Sequence, residues 1–465
     1  MRVLLINPPK HEMHKENIWK KIDTCLPSLG LAYIAAYIEK DGAEVKILDL
    51  VVENFSYDNF TKYLKEFNPD FVGITASTVT IIGALSIAKI SKEACPNAKI
   101  VLGGAHPTAM PEELLKESFV DFVVRGEGEV TFAELIKSYD NPEKILGISY
   151  KDKNGKIVNN DPRPFIEDLD SLPFPAWHLL PMGKYKPSLG NYKRLPAMSM
   201  ICGRGCPGVC TYCFSKPFGK KIRFRSAKNI IEEMKLLIKN YGIKEISFYD
   251  ENITTNRQLV QEMCKIIIDE KIDITWACQS RVDTIDEETL KLMKKAGCHQ
   301  IGFGIESADT EILKNIKKPI PLEKSIDAVK MTQKAGINAR ANFMFGSPGE
   351  TEETMEKTIQ FAMKINPDFV VFNITTPLPG TEMFDWAKEN GYLTTTDWHD
   401  YDFSRHIMKL PTIDSKKVEE FYNKSYRRFY FRPKFMIRHL FKTRSFSDIT
   451  INLKVFFGLI LLGRE

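Results

Sequence analysis

The chain has 465 residues, 43% hydrophobic and 27% charged, with a formal net charge of +5. That is the profile of a folded protein of two or three domains, and the mild charge argues against a nucleic-acid protein as a whole. No apolar run reaches the ~18 residues of a membrane span. The nine cysteines, an odd number, argue against a disulfide framework and for a reducing cytoplasm. The opening MRVLLINPPK runs straight into an apolar strand, without the regions of a signal peptide.

In chain order, RVLLINP reads as a buried strand, LGLAYIAAYIEKDG as an amphipathic helix stopped at Gly42, and EVKILDL as the next strand. The alternation continues through YDNFTKYLKEF, FVGITAS, a helix through Ile90, KIVLGGAHP, PEELLKE, DFVVRGEGE and VTFAELIK. Strand and helix in turn over residues 1–140 predict an α/β, doubly wound, Rossmann-like domain with a parallel sheet. In such sheets ligands sit outside the carboxyl ends of the strands. Here those ends are NPPK, TAST, GGAHPT and RGEGE, rich in small and turn-forming residues that let backbone approach a large flat ligand.

Residues 141–195 read as a hairpin around Asn154-Gly155 followed by the proline-punctuated linker DLDSLPFPAWHLLP. Residues 196–390 hold six further βα units, with strands AMSMI, EISFYDE, ITWACQS, QIGFGIES, ARANFMFG and FVVFNIT. They predict a (β/α)6-type partial TIM barrel with its chemistry at the carboxyl ends of the strands. Residues 391–465 form a helical, basic region. From Ser425 to Glu465 there are nine Lys/Arg and two Asp/Glu. A helical cap packed on the barrel is the preferred reading of this tail; docking on an anionic membrane surface is the alternative.

CGRGCPGVCTYC, from Cys202 to Cys213, lies in the loop leaving the first barrel strand. Cys206, Cys210 and Cys213 are spaced C-x3-C-x2-C. Three thiolates from one short loop can hold three corners of a [4Fe-4S] cluster and leave the fourth iron open to a small molecule. A structural zinc site is the alternative, but it wants four ligands, usually as two separated pairs. Cys202 reads as a neighbour of the cluster. Cys264, Cys278 and Cys298 read as small core residues.

RGCPGVCTYC resembles the cluster loop of the radical S-adenosylmethionine enzymes, with aromatic Tyr212 before the last cysteine. The later motifs follow in that family's order: SFYDENIT (Asp250, Glu251), WACQSRVD (Arg281), IGFGIES (Gly302, Gly304, Glu306, Ser307), FGSPGET (Gly346, Pro348, Gly349) and TPLPGTEMF. The resemblance implies S-adenosylmethionine near Tyr212, Asp250, Arg281, Gly304, Glu306, Ser307 and Gly346. The N-terminal PSLGLAYIAAYIE, VGITAST, VLGGAHPTAMPEE and VVRGEGE resemble the cobalamin-binding domain fused to one subfamily of these enzymes. That subfamily includes the anaerobic magnesium-protoporphyrin monomethyl ester cyclase and the hopanoid methylases. It implies cobalamin near Ser28, Leu29, Gly30, Thr75, Ser77, Gly103, Gly104, His106, Glu127 and Gly128. The D-x-H-x-x-G signature of other cobalamin proteins is missing, since NPPKHEMH stands in its place. His11 and His14 are therefore weak candidates for a cobalt ligand, and His106 is expected to line the pocket.

The resemblance implies a C-methyltransferase. One S-adenosylmethionine would methylate cobalamin, and a second would give the 5′-deoxyadenosyl radical that activates a carbon of a small-molecule or lipid-like substrate. An external low-potential electron donor is implied as a partner, and no nucleic acid. The alternatives are a non-methylating radical cyclase, oxidase or rearrangement enzyme and, from another class, a non-catalytic cobalamin or cluster sensor. A methylthiotransferase is weaker, because only Cys25 and Cys95 stand in the N-terminal half.

Overall fold

A computed structural model of the chain describes residues 1–9, 25–53, 55–187, 192–214, 216–250, 252–433 and 435–436. His11, His14, Glu251 and the tail beyond residue 436 lie outside them.

Five parallel strands open the chain: β1 (Arg2–Asn7), β2 (Glu44–Asp49), β3 (Phe71–Thr75), β4 (Lys99–Gly103) and β5 (Phe122–Val124). They lie side by side in the order β2-β1-β3-β4-β5. Between them run α1 (Leu29–Lys40), α2 (Tyr57–Phe67), α3 (Ile81–Ala94), the short α4 (Ala105–Ala109) and α5 (Pro111–Leu114), followed by α6 (Gly128–Ser138). In β1, Val3 and Leu5 join one core with α1 and α6, while Leu4 and Ile6 join a second with α2 and α3. A strand covered on both faces must be apolar at every position, which is why RVLLINP shows no alternation.

The hairpin does not stand apart in a linker. Its strands β6 (Ile148–Lys151) and β7 (Ile157–Asn159) extend the first sheet antiparallel from β5, making seven strands. Pairing Phe122 with Tyr150 and Val124 with Ile148 covers what would be an open edge of β5. The following segment is anchored too: the Tyr185 hydroxyl donates to Asp49 at the end of β2 over 2.9 Å.

The second sheet contains β8 (Ala197–Met200), then β11 (Glu245–Phe248), β12 (Thr275–Ser280), β13 (Cys298–Glu306), β14 (Asn338–Phe345) and β15 (Phe369–Ile374), all parallel. A small antiparallel ribbon, β9 (Gly203–Arg204) with β10 (Arg223–Phe224), interrupts the series after β8. Among the described residues the order β15-β14-β13-β12-β11-β8 does not close on itself, so the barrel is partial. Its helices are α7 (Ala227–Tyr241), α8 (Arg257–Asp269), α9 (Glu287–Lys295), α10 (Thr310–Asn315), α11 (Leu322–Lys334), α12 (Glu352–Ile365) and α13 (Glu382–Glu389).

The free edge of β15 is closed by side chains. The last described helix, α14 (Ser415–Tyr430), lies against it. Tyr426 and Tyr430 each accept an edge N–H and donate to the matching carbonyl, at Phe372 and Val370, over 2.7–3.1 Å. Of the basic tail, residues 426–430 thus pack on the barrel, while most of the rest lies outside the described residues. Residues 391–414 differ from the expected helix: apart from a short 3-10 turn at Trp398–Asp400, they form an irregular strap with isolated bridges Leu393–Met408 and Leu410–Ile413. Among the described residues no helix is long and apolar enough to cross a membrane.

Candidate active site

The ribbon β9–β10 holds the loop of residues 205–222 that carries the three cysteines. Gly205 leaves β9 at φ +97°, and a Cβ there would lie 2.3 Å from the Lys221 carbonyl, so the two ends of the loop close only around glycine. The Cys206 N–H donates to the Gly219 carbonyl at 3.1 Å, and Thr211 is tied by backbone bonds to Ile316 and Met383. The loop is thus held by its backbone.

Two of the thiols, those of Cys206 and Cys210, lie close to one another. A Cβ added to Gly208 would touch Cys206 Sγ at 3.4 Å and Cys210 Sγ at 3.8 Å. The Tyr212 phenol is pushed up by burial first, then by the charges of Glu306, Cys210 and Cys213. Arg281 is held charged chiefly by Asp283, with Cys210 and Cys206 adding to the effect. Cys206 and Cys210 are half-buried and Cys213 is exposed. Three thiols of one short loop, with the Arg281 cation near Cys206 and Cys210, are a donor set that fits a cluster with one open iron. Among the described residues no three His, Cys, Asp or Glu side chains close on a single ion-sized point. Cys202 differs from the other three: it is fully buried, and burial pushes its thiol well up.

Around this loop stand the tips of the barrel strands. Glu306 is buried at φ +70°, beyond a register shift in β13, a strained conformation for a residue with a side chain. It pairs with Lys318 at 2.6 Å, and Lys318 also reaches the Tyr212 hydroxyl at 3.5 Å. Gly304 makes room for this pair, because a Cβ there would lie 2.4 Å from Glu306 Oε1 and 2.8 Å from Lys318 Nζ. Gly302 does the same for the Gln279 carboxamide, at 2.2 Å. Arg281 forms a two-point bond to Asp283 over 2.8–2.9 Å. Tyr212, Gly304 and Glu306 are therefore brought together, and Arg281 lies near enough to Cys206 and Cys210 to feel their charge.

The other three residues expected to meet S-adenosylmethionine serve the frame. Asp250 is buried, and burial pushes its carboxyl up to about 6. Its oxygens accept the backbone N–H groups of Cys202 and Gly203 at 2.5–2.9 Å, fixing the root of the ribbon. It also lines, with Gly205, Tyr249 and Asn252, a cavity of about 100 Å³. The Ser307 hydroxyl is bonded to Thr358 and to the Asp309 N–H. Gly346, at φ +84°, admits the ring of His406, whose Nε2 lies 3.0 Å from the Gly346 carbonyl.

On the first sheet, Thr75, Ser77, Gly103, Gly104 and His106 meet at the carboxyl ends of β3 and β4. Gly104, at φ +102°, lets the two tips approach, since a Cβ would lie 2.7 Å from the Ala76 carbonyl. Ser28 stands at the N-cap of α1, Leu29 begins it, and a Cβ on Gly30 would meet nothing within 4 Å among the described residues. His106 is buried, and burial pushes it down to about 4, so the ring is neutral. Its Nδ1 is 3.1 Å from Thr78 Oγ1, and its ring packs edge-on against Trp398 of the strap. Glu127 and Gly128 are engaged elsewhere. Glu127 is buried against Arg204 and Arg223, and a Cβ on Gly128 would lie 2.7 Å from Ile34 of α1. Sequence reasoning missed Lys318, which sits among the lysines of LKNIKKPI with no local mark of its position.

The two regions touch. A Cβ on Gly380, after β15, would meet Phe214 of the cysteine loop at 2.4 Å and Ala109 of α4 at 3.0 Å. A Cβ on Gly126 would lie 3.8 Å from the Pro217 carbonyl. The cysteine loop therefore packs on the loops at the carboxyl ends of the first sheet.

Comparison with known proteins agrees with this geometry. The model of the radical SAM superfamily matches residues 200–362, and that of the B12 binding domain matches residues 18–136. A protein of Pyrococcus horikoshii described as an uncharacterized methyltransferase is 41% identical over 96% of each chain. The anaerobic magnesium-protoporphyrin IX monomethyl ester cyclase of Rubrivivax gelatinosus is 31% identical over 94% of this chain and 78% of its own. Among solved structures, the cobalamin-dependent S-adenosylmethionine radical enzyme OxsB, with aqua-cobalamin and S-adenosylmethionine bound, shares the fold. Its TM-score is 0.76 at 19% identity, over 97% of this chain and 69% of that one. A loop of three open thiols packed on a B12-type sheet, in a chain so matched from end to end, belongs to the cobalamin-dependent radical S-adenosylmethionine enzymes.

Proposed function

We propose that the chain methylates an unactivated carbon of a small-molecule substrate. Cys206, Cys210 and Cys213 would hold the [4Fe-4S] cluster. Tyr212, Arg281, Gly304 and Glu306, joined by Lys318, would face S-adenosylmethionine, while Asp250, Ser307 and Gly346 hold the surrounding backbone. Ser28, Leu29, Gly30, Thr75, Ser77, Gly103, Gly104 and His106 would face cobalamin. When bound, these groups supply a radical able to remove a hydrogen atom and a transferable methyl group.

The packing of both Phe214 and Ala109 on Gly380 supports this reading, because it brings the cysteine loop beside the carboxyl-end loops of the first sheet. The chain's own residues then have definite tasks. Lys318 with Glu306 and Arg281 with Asp283 offer cations and carboxylates side by side, matching the carboxylate and ammonium of one methionine group. The neutral His106 ring offers no charge to a flat ligand above it. An external low-potential donor would deliver the electron. The name of the Pyrococcus relative supports methyl transfer over cyclisation.

The test is anaerobic reconstitution with iron, sulfide and hydroxocobalamin, followed by S-adenosylmethionine and a strong reductant. Formation of both 5′-deoxyadenosine and S-adenosylhomocysteine is expected. Deoxyadenosine alone would favour a non-methylating radical enzyme, and neither product from protein with an intact cluster would favour a sensor.

A further inference from the structure

Both ends of the cysteine-bearing loop are held by one buried ion-pair network, and the carboxylates in it come from the other domain. Arg204 ends β9 and Arg223 begins β10, so residues 205–222 hang between them. Arg204 bonds Glu127 Oε1 at 3.0 Å and Glu129 Oε1 at 2.5 Å. Arg223 bonds both oxygens of Glu127 at 3.0 Å and the carbonyls of Ile166 and Phe218 at 2.6 and 2.9 Å. Glu127 Oε2 also accepts the Ile166 N–H at 2.8 Å. All four side chains are at least nine-tenths buried. The guanidinium of Arg204 lies over the Tyr33 ring of α1, and that of Arg223 over Phe165.

Two full charges in apolar surroundings keep their positions only while their partners remain in place, and removing one partner strands the other. Arg–carboxylate pairs are also directional, so they fix angle as well as distance. The ribbon has only two paired residues on each side, too few to hold an 18-residue loop at a set height by backbone bonds alone. We propose that Glu127 and Glu129 of the RGEGE segment are positioning residues for the cysteine loop. Through Arg204 and Arg223 they set its height and tilt over the first sheet, and so the separation across which a group passes between the two cofactors. This rests on the reading above only for its consequence; the mechanical link concerns the chain alone.

The link is tested by hydrogen–deuterium exchange on cofactor-free wild type, Glu127→Gln and Glu129→Gln. Faster exchange confined to residues 203–224 in both variants, with the barrel strands unchanged, is expected. Exchange in the ribbon equal to wild type would overturn the proposal. Far-UV circular dichroism checks folding, and Glu129→Gln, which leaves Glu127 on both arginines, serves where Glu127→Gln does not fold. The consequence is read by electron paramagnetic resonance of the reconstituted, reduced protein with and without S-adenosylmethionine. The variants should show an altered or heterogeneous cluster signal, with hydroxocobalamin affinity within about twofold of wild type, as for a distant site. Lost hydroxocobalamin affinity with an unchanged cluster signal would make Glu127 a cofactor contact and overturn the proposal. A wild type that assembles no cluster would count against the proposed function and leave the exchange result standing.

Discussion

Lys318 Nζ lies 2.6 Å from Glu306 Oε1 and 3.5 Å from the Tyr212 hydroxyl, joining the tip of β13 to the middle of the cysteine loop. Both charged side chains are about nine-tenths buried. Removing one member of such a pair costs about 3–5 kcal/mol. Lys318→Met should therefore lower the melting temperature and weaken S-adenosylmethionine binding about tenfold or more, since each 1.4 kcal/mol is a factor of about ten. Lys318→Met with Glu306→Gln should recover part of the stability but none of the binding. Equilibrium dialysis with labelled S-adenosylmethionine reads the binding, and wild-type affinity in Lys318→Met would remove this lysine from the site.

Gly304→Ala is the smallest change that disturbs the same pair. Its methyl would fall 2.4 Å from Glu306 Oε1, which must move. A displacement near 1 Å in a positioned site can cost about a hundredfold in rate. Deoxyadenosine formation should fall at least about tenfold, while the cluster's absorbance and iron content stay at wild-type values. Loss of iron instead would mean that β13 shapes the cysteine loop itself.

Glu350, in the loop after β14, is fully buried, and burial pushes its carboxyl up from 4.5 to about 8 against the pull of the Ser347 and Gly346 N–H groups. A group that keeps its proton longer when folded stabilises the fold below its unfolded value. That stability is lost as pH rises toward the folded one. The stability of wild type relative to Glu350→Gln should fall by up to about 1.4 kcal/mol per pH unit between roughly pH 5 and 8, then level off. Urea unfolding of the cofactor-free protein at stepped pH measures this, and a flat difference would show that the carboxyl is ionised throughout.

Tyr426→Phe removes the hydroxyl that satisfies both backbone groups of Phe372 at the edge of β15. An unsatisfied buried backbone group costs about 1–3 kcal/mol. Urea unfolding should show a loss in that range, and the variant should be more prone to aggregate through the bared edge. Tyr430→Phe should behave alike at Val370.

What the sequence made legible was periodicity and local spacing. Apolar runs such as FVGIT and IGFGI mark strands buried on both sides, and C-x3-C-x2-C marks a loop with thiols to offer, because those signals lie within a few neighbouring residues. Partnerships across long chain distances were not legible. Glu127 meets Arg204 across 77 positions and Arg223 across 96, so RGEGE looked like one more ligand-facing strand tip. The hairpin at Asn154 was legible as a turn, but its place in the first sheet depends on the otherwise bare edge of β5. Lys318 carries no local mark; only the path of α10 returns it to Glu306. The strap of residues 391–414 follows no repeating pattern, because its anchors, among them Trp398 on His106 and Glu113 and His406 on Gly346, are tertiary contacts with distant residues.

On the proposed reading, three thiols of one loop, and not the fourth beside them, hold the cluster. The most direct test of that reading measures iron content and deoxyadenosine formation in Cys206→Ala, Cys210→Ala, Cys213→Ala and Cys202→Ala, each reconstituted anaerobically beside wild type. The first three should lose deoxyadenosine and most of the iron, while Cys202→Ala, whose thiol is buried in the core, should keep both. Full iron and product in any of the first three, or their loss in Cys202→Ala with its fold intact, would contradict the account.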